Sequence, residues 1–337
     1  MERFKVGIIG AGHIARKMAH TLRDMEGVEP YAVASRNQEN AEGFACEWGF
    51  TRAYGSYEDL ADDPEVQLIY IATPHSHHFE QARMCLEKGK PVLCEKAFTA
   101  NAEQAETLIR LSKEKQVFLT EAIWTRYMPF SETLRELVDG GFKSKYNLIN
   151  SGLTIGRVMM LTANIGYPIA EKERIAKPEL CGGALLDIGV YPINFARMLF
   201  GSEITGITSA CVKGETGVDL QSSITFVYRN HRMAVLQMTA FCANDRQGVI
   251  SGDKGYIIVD NINNPQLAVV YSVNHEEVAR YTCPPQITGF EYQVQASIDA
   301  IREGKIETPC MPHAETLHIM QMLDDLRSEW GVRYPMD

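Results

Sequence analysis

The sequence predicts an α/β protein: a doubly wound parallel sheet first, then an α+β domain with an open, mainly antiparallel sheet. Three observations predict it. The chain opens on an apolar run, Val6, Gly7, Ile8 and Ile9, which is cut by Gly10 and Gly12 and followed by a helical apolar spacing at Ile14, Met18 and Leu22. Through residue 122, short apolar runs alternate with helical patterns, the rhythm of strand–helix–strand units. From residue 205 onward, strand-like segments follow one another without helices between them, which suits antiparallel pairing.

The elements follow in order. Strands are expected over 6–9, 28–34, 53–54, 67–72, 91–94 and 116–122. Helices are expected over 37–48, 57–61, 77–88 and 101–115, with Ser56 and Asn101 as N-caps. The rhythm changes within 121–129, so the boundary is placed between a domain over 1–124 and one over 125–337. Helices are then expected over 131–138, near 147–150 and over 184–200, the last with Pro192 in a first turn or at a kink. Strands are expected over 158–165, 208–212, 222–228, 233–239, 248–251, 256–259 and 267–271, and closing helices over 292–303 and 314–330.

Ligands on such parallel sheets bind beyond the carboxyl ends of the strands, which singles out four loops. The first is the glycine turn. Gly10 permits a tight turn, Gly12 lets a pyrophosphate approach the backbone, and Ala15 lets the helix pack closely on its strand. Free N–H groups at the helix start, around His13, Ile14 and Ala15, suit phosphates. The second loop carries Ser35 and Arg36, where NAD-specific sites place an acid; a small hydroxyl beside an arginine suits a 2′-phosphate, so NADP(H) is expected over NAD(H), which remains possible.

The third loop holds Thr73, Pro74, His75, Ser76, His77 and His78. Adjacent His77 and His78 point apart on a helix, and no cysteine or acidic set completes a metal site, so Thr73, Pro74, His75 and His78 are assigned to the cofactor and no metal is expected. The fourth carries Glu95 and Lys96, a charged pair at a strand end where chemistry occurs. Beyond it, Trp124 and Arg126 are expected to line the cleft at the domain junction. Asp187 and Tyr191, four residues apart, share a helical face: a carboxylate and a phenol suited to acid/base work.

Composition excludes several classes. The formal net charge of −10 argues against a nucleic-acid partner. No segment approaches the roughly 20 apolar residues of a membrane span. The 8 cysteines form no C-x-x-C pair, and the opening run is too short and glycine-rich for a secretory signal, so a cytoplasmic location is expected.

Together these residues resemble the Gfo/Idh/MocA oxidoreductases. The carriers are the run from Gly10 to Ala15, that from Thr73 to His78, Glu95 with Lys96, and the run from Gly183 to Tyr191, in family order along the chain. The runs 121–126, 287–292 and 311–316 point to the dihydrodiol and NADP-dependent D-xylose dehydrogenase branch. The resemblance implies a Rossmann domain, a C-terminal sheet used for homodimerisation, and Lys96, Asp187 and Tyr191 facing the nicotinamide. It implies oxidation of a sugar, polyol or diol, with Tyr191 as acid/base assisted by Lys96. A cofactor-dependent sensor and a redox glycosidase are the alternatives. One departure is Ala97, where the family has proline after the lysine.

Overall fold

The computed structural model describes residues 3–138 and 155–337; the helix expected near 147–150 lies outside them. The chain forms two compact units. The first joins Met1–Tyr127 to Gln286–Asp324 and Met336–Asp337, and the second joins Met128–Pro285 to Asp325–Pro335. A single boundary between 124 and 125 does not include the return of 286–324 to the first unit.

The first unit is built on β1 (Phe4–Ile9), α1 (His13–Asp24), β2 (Val28–Ala34), α2 (Gln38–Trp48), β3 (Arg52–Tyr54), α3 (Tyr57–Asp62), β4 (Leu68–Ile71), α4 (His75–Glu87), β5 (Val92–Glu95), α5 (Ala102–Lys115) and β6 (Leu119–Ala122). The strands pair in parallel in the order β3-β2-β1-β4-β5-β6. The order reverses at β1, so the crevice beyond β1 and β4 is the expected ligand site. Every residue of β4 and β5 is buried, which is why these strands read as unbroken runs and not as alternation.

Side-chain caps account for several helix starts. Asn37, Ser56 and Asn101 accept the N–H groups of Asn40, Asp59 and Gln104 at 3.0, 3.1 and 3.0 Å; each such cap is worth about 1 kcal/mol. Helix α4 starts at His75, two residues before the predicted start, because Pro74 presets a helix-compatible φ of −61° just ahead of it.

The second unit holds α6 (Pro129–Val138), β7 (Val158–Gly166), α7 (Glu173–Ala176), a π-helical turn over Leu185–Gly189, and α8 (Val190–Phe200). These are followed by β8 (Ile204–Lys213), β9 (Asp219–Tyr228), β10 (Met233–Thr239), β11 (Gly248–Gly252), β12 (Gly255–Val259), β13 (Leu267–Ser272) and β14 (Glu277–Thr282). Its sheet runs β14-β13-β12-β11-β7-β10-β9-β8, antiparallel except for β7 with β10. Strand β9 shows the register: Leu220, Ser222, Ile224, Phe226 and Tyr228 are buried while Gln221, Ser223 and Val227 are exposed. Helix α8 packs against β7 and β10 on the buried side.

Strand β14 was not expected, because Glu277 and Arg280 break any apolar alternation and Val278 lies exposed. Helices α9 (Glu291–Arg302) and α10 (His313–Trp330) close the chain.

Candidate active site

In the first unit the glycine turn is shaped as the fingerprint requires. Gly10 has φ +104°, and a Cβ there would meet the Ala72 carbonyl oxygen at 2.9 Å, so glycine lets the turn after β1 lie against the end of β4. A Cβ on Gly12 would meet nothing within 4 Å. No side chain caps α1, and Ala15 is fully buried against the sheet. Open space facing uncapped N–H groups at a helix start fits a pyrophosphate.

At the end of β2, Ser35 is half-buried and Arg36 is exposed. Two further side chains share electrostatic surroundings with Arg36. Burial raises the Tyr57 phenol, and Arg36 opposes it. Burial lowers the His77 imidazole, and Arg36 lowers it further. Neither was singled out for this role from sequence, because helix residues after a strand carry no spacing signal toward the loop of another strand.

The loops after β4 and β5 are tied together by His78. Its Nδ1 lies 2.9 Å from the Ala97 carbonyl oxygen and its Nε2 2.8 Å from that of Thr73. The ring is 0% exposed, and burial pushes its pKa down to about 4. His78 therefore braces the two loops from within, and His75 packs edge-on to it at 5.7 Å. Thr73 is anchored in turn by its hydroxyl, which donates to Gln81 Oε1 at 2.7 Å. Among the described residues no cluster suited to a metal is found.

Glu95, at the end of β5, is buried and accepts from the Tyr70 hydroxyl and, at 3.2 Å, from the Lys96 N–H. Burial raises its pKa, opposed by Lys96, Tyr70 and Lys17. Lys17 reaches over from α1, its Nζ 4.2 Å from the Trp124 ring centre and 4.1 Å from that of Phe290. Burial lowers this ammonium, and Glu95 and Glu291 oppose the shift.

The 287–292 run brings Phe290 against Lys17 and Trp124. The Glu291 carboxylate accepts the N–H groups of Ile287, Thr288 and Gly289 at 2.6, 3.1 and 2.7 Å, fixing Phe290 edge-on to Trp124. Arg126 gives both terminal nitrogens to Glu315 Oε1, each at 3.1 Å, so its guanidinium is committed within the unit. Glu121 is 2% exposed; burial pushes it up to about 7, with Arg126 opposing.

In the second unit Asp187 and Tyr191 lie on a segment that is π-helical before it is α-helical. The Val190 N–H bonds to the Leu185 carbonyl, an i to i−5 closure, and Pro192, lacking an N–H, falls in the first turn of α8. The helix expected over 184–200 is therefore a π turn followed by α8, and of the two places expected for Pro192 it takes the first turn. Asp187 and Tyr191 are 5% and 8% exposed.

Arg174, on α7, grips the Asp187 carboxylate with its NH2 nitrogen at 3.0 Å and its Nε at 3.3 Å. Arg174 was not legible as a site residue: it stands thirteen positions before Asp187 in a charged stretch without periodicity. The segment's entry is closed by Gly182 and Gly183. A Cβ on Gly182 would meet the Ile175 carbonyl oxygen at 2.4 Å, and one on Gly183 the Asp219 Oδ1 at 2.2 Å.

Lys96 thus belongs to the first unit and Asp187 and Tyr191 to the second. A dinucleotide turn on a parallel six-stranded sheet, joined in one chain to an open eight-stranded sheet, defines a two-unit nucleotide-dependent fold. Residues 4–123 match the model of an oxidoreductase family with an NAD-binding Rossmann fold, and 146–258 match the C-terminal domain of that same family.

The chain belongs to the Gfo/Idh/MocA oxidoreductase family. It is 34% identical to a trans-1,2-dihydrobenzene-1,2-diol dehydrogenase of Xenopus tropicalis over 98% of this chain and 99% of the relative. It is 31% identical to a D-xylose 1-dehydrogenase (NADP(+)) of Hypocrea jecorina over 98% of this chain and 93% of that one. Its fold matches that of KijD10, a 3-ketoreductase from Actinomadura kijaniata, with a TM-score of 0.84 at 22% identity over 97% of this chain and 98% of the other.

Proposed function

We propose that the protein is an NAD(P)-dependent dehydrogenase acting on a CH–OH group of a sugar, polyol or dihydrodiol, with NADP(H) preferred. The observation that carries the reading is Asp187 and Tyr191 buried on one framed segment, in a chain that aligns over 98% of its length with named dehydrogenases. Gly10, Gly12, His13, Ile14 and Ala15 would hold the pyrophosphate, Ser35 and Arg36 the 2′-phosphate. Thr73, Pro74, His75, His78 and Glu95 would shape the remainder of the cofactor site. When bound, the nicotinamide supplies the two-electron oxidation of the alcohol carbon.

Tyr191 takes the proton of the substrate hydroxyl. A free phenol titrates near 10, about three units above neutrality, so a cation that favours the phenolate is needed, and Lys96 is assigned that part. Asp187, held by Arg174, serves as a hydrogen-bond acceptor that orients the substrate and not as a base. Trp124 and Arg126 support the substrate side.

A Tyr191→Phe variant assayed by NADPH absorbance against D-xylose, polyols and trans-dihydrodiols is expected to lose turnover by the roughly 10²–10⁴-fold of a missing acid–base group. Unchanged turnover overturns the role. Stoichiometric NADP+ consumption separates this reading from a redox glycosidase, which regenerates its cofactor, and from a sensor, which turns nothing over.

The second unit's sheet is proposed as a homodimer face: Met160, Val212, Val227 and Met233 stand exposed on its strands. Sedimentation of a Val227→Lys variant tests it, a shift to monomer being expected. Among the described residues no helix is long and apolar enough to cross a membrane, and a cytoplasmic location is proposed with the dimer.

A further inference from the structure

We propose that Asp219 is the positioning residue of the reactive segment: its carboxylate, brought in on β9, sets where the π turn begins and thereby where Asp187 and Tyr191 stand. The inference rests on the reading that those two residues carry the reaction.

Asp219 is 0% exposed. Its Oδ2 accepts the Leu185 N–H at 2.6 Å, and Gly183, at φ +119°, lacks the Cβ that would otherwise lie 2.2 Å from Oδ1. The segment has no side-chain cap of its own at Ala184, so the capping anion comes from a distant strand. A negative charge at a helical start is favoured by the aligned peptide dipoles.

The same residue, Leu185, donates its N–H to Asp219 and accepts the Val190 N–H at its carbonyl. That two-bond chain, Asp219 to Leu185 to Val190, brackets Asp187 and ends beside Tyr191. From the other side Tyr334 donates its hydroxyl to the Gly182 carbonyl at 2.6 Å.

The ionisable groups facing Asp219 are Arg327, from the end of α10, and Cys211, on β8. Burial raises the carboxyl to about 6, opposed by the Leu185 N–H and, more weakly, by Arg327. A carboxylate costs stability in so enclosed a place unless bonded, and a fully apolar residue would fill it without that cost. Asp219 is therefore explained by what it holds and not by packing.

The test compares Asp219→Ala and Asp219→Asn in the full-length protein. Hydrogen exchange read by mass spectrometry is expected to show the amides of 184–190 exchanging at least tenfold faster in Asp219→Ala, with the first unit's strands unchanged. Under the assay above, kcat is expected to fall at least tenfold in Asp219→Ala with NADPH affinity within twofold. Asp219→Asn, which keeps an oxygen toward the Leu185 N–H, should recover most of both. Protection of 184–190 unchanged in Asp219→Ala overturns the proposal. So does an equal loss in the two variants accompanied by loss of NADPH binding, which marks a merely structural role. An active Tyr191→Phe beside a disturbed Asp219→Ala segment overturns the assignment of Tyr191 instead, and leaves the framing of the segment standing.

Discussion

Two glycine turns open two helical segments in this chain, and they are built oppositely. At Gly12 the direction a side chain would take is open, and the helix behind it has no side-chain cap. At Gly182 and Gly183 the same direction is filled by protein: the Ile175 carbonyl at 2.4 Å from one built Cβ and the Asp219 carboxylate at 2.2 Å from the other. The first turn leaves its helix start open, as the proposed phosphate site requires; at the second a carboxylate of the chain itself accepts the Leu185 N–H. Paired glycines ahead of a helix therefore report close approach, and only the neighbouring space tells whether a ligand or the protein itself makes that approach.

Substitutions sharpen the contrast. Gly12→Asp would supply both a cap and a negative charge where phosphate is expected. NADPH affinity by fluorescence titration should fall by about 10³-fold, or 4 kcal/mol, while thermal stability holds or rises slightly. Retained affinity would break the comparison at its first member.

Gly183→Ala has the opposite signature. Strain at a positive φ and the clash with Asp219 should cost about 2–4 kcal/mol in urea unfolding, with NADPH affinity unchanged.

Glu121 is a buried carboxyl that caps no helix. Its pKa stands raised in the folded chain, so between the ordinary carboxylate range and about 7 the folded state binds more protons than the unfolded one, and stability falls as pH rises through that window. The slope is on the order of 1 kcal/mol per pH unit, and Glu121→Gln should flatten it in denaturation curves taken from pH 5 to 8.

The smallest effect is expected at the rim of the first turn. Arg36→Ala should lower the ratio of NADP+ to NAD+ affinity by about tenfold, or 1.4 kcal/mol, in parallel titrations.

The parallel sheet was legible almost strand for strand, because β4 and β5 are buried on both faces and so read as pure apolar runs. The caps Ser56 and Asn101 were legible from their residue type and place. Strand β14 was not, since its exposure removes the apolar signal. The π turn was not either: Pro192 announced an irregularity but not its form.

At the site, the sequence named Asp187 and Tyr191 but neither Arg174 nor Asp219, whose meaning comes from contacts across the second unit. Arg126 was visible as a charge in a recognisable run, yet its partner Glu315 lies 189 residues on, and no local spacing links them.

The return of 286–324 to the first unit bears on the order in which the chain is made. The outer edge of β6 is covered by this late segment: the Leu119 N–H donates to the Ile306 carbonyl at 2.9 Å, and His313 Nε2 lies 2.8 Å from the Leu119 carbonyl. On the ribosome, all six strands emerge long before residue 313 is joined. Until then β6 presents unpaired backbone groups at the border of the nascent sheet, the kind that recruit other chains. The strands of the nucleotide-binding unit are synthesised before the 128–285 stretch and covered only after it, which makes the interval between those events the stage at which a chaperone would be of most use.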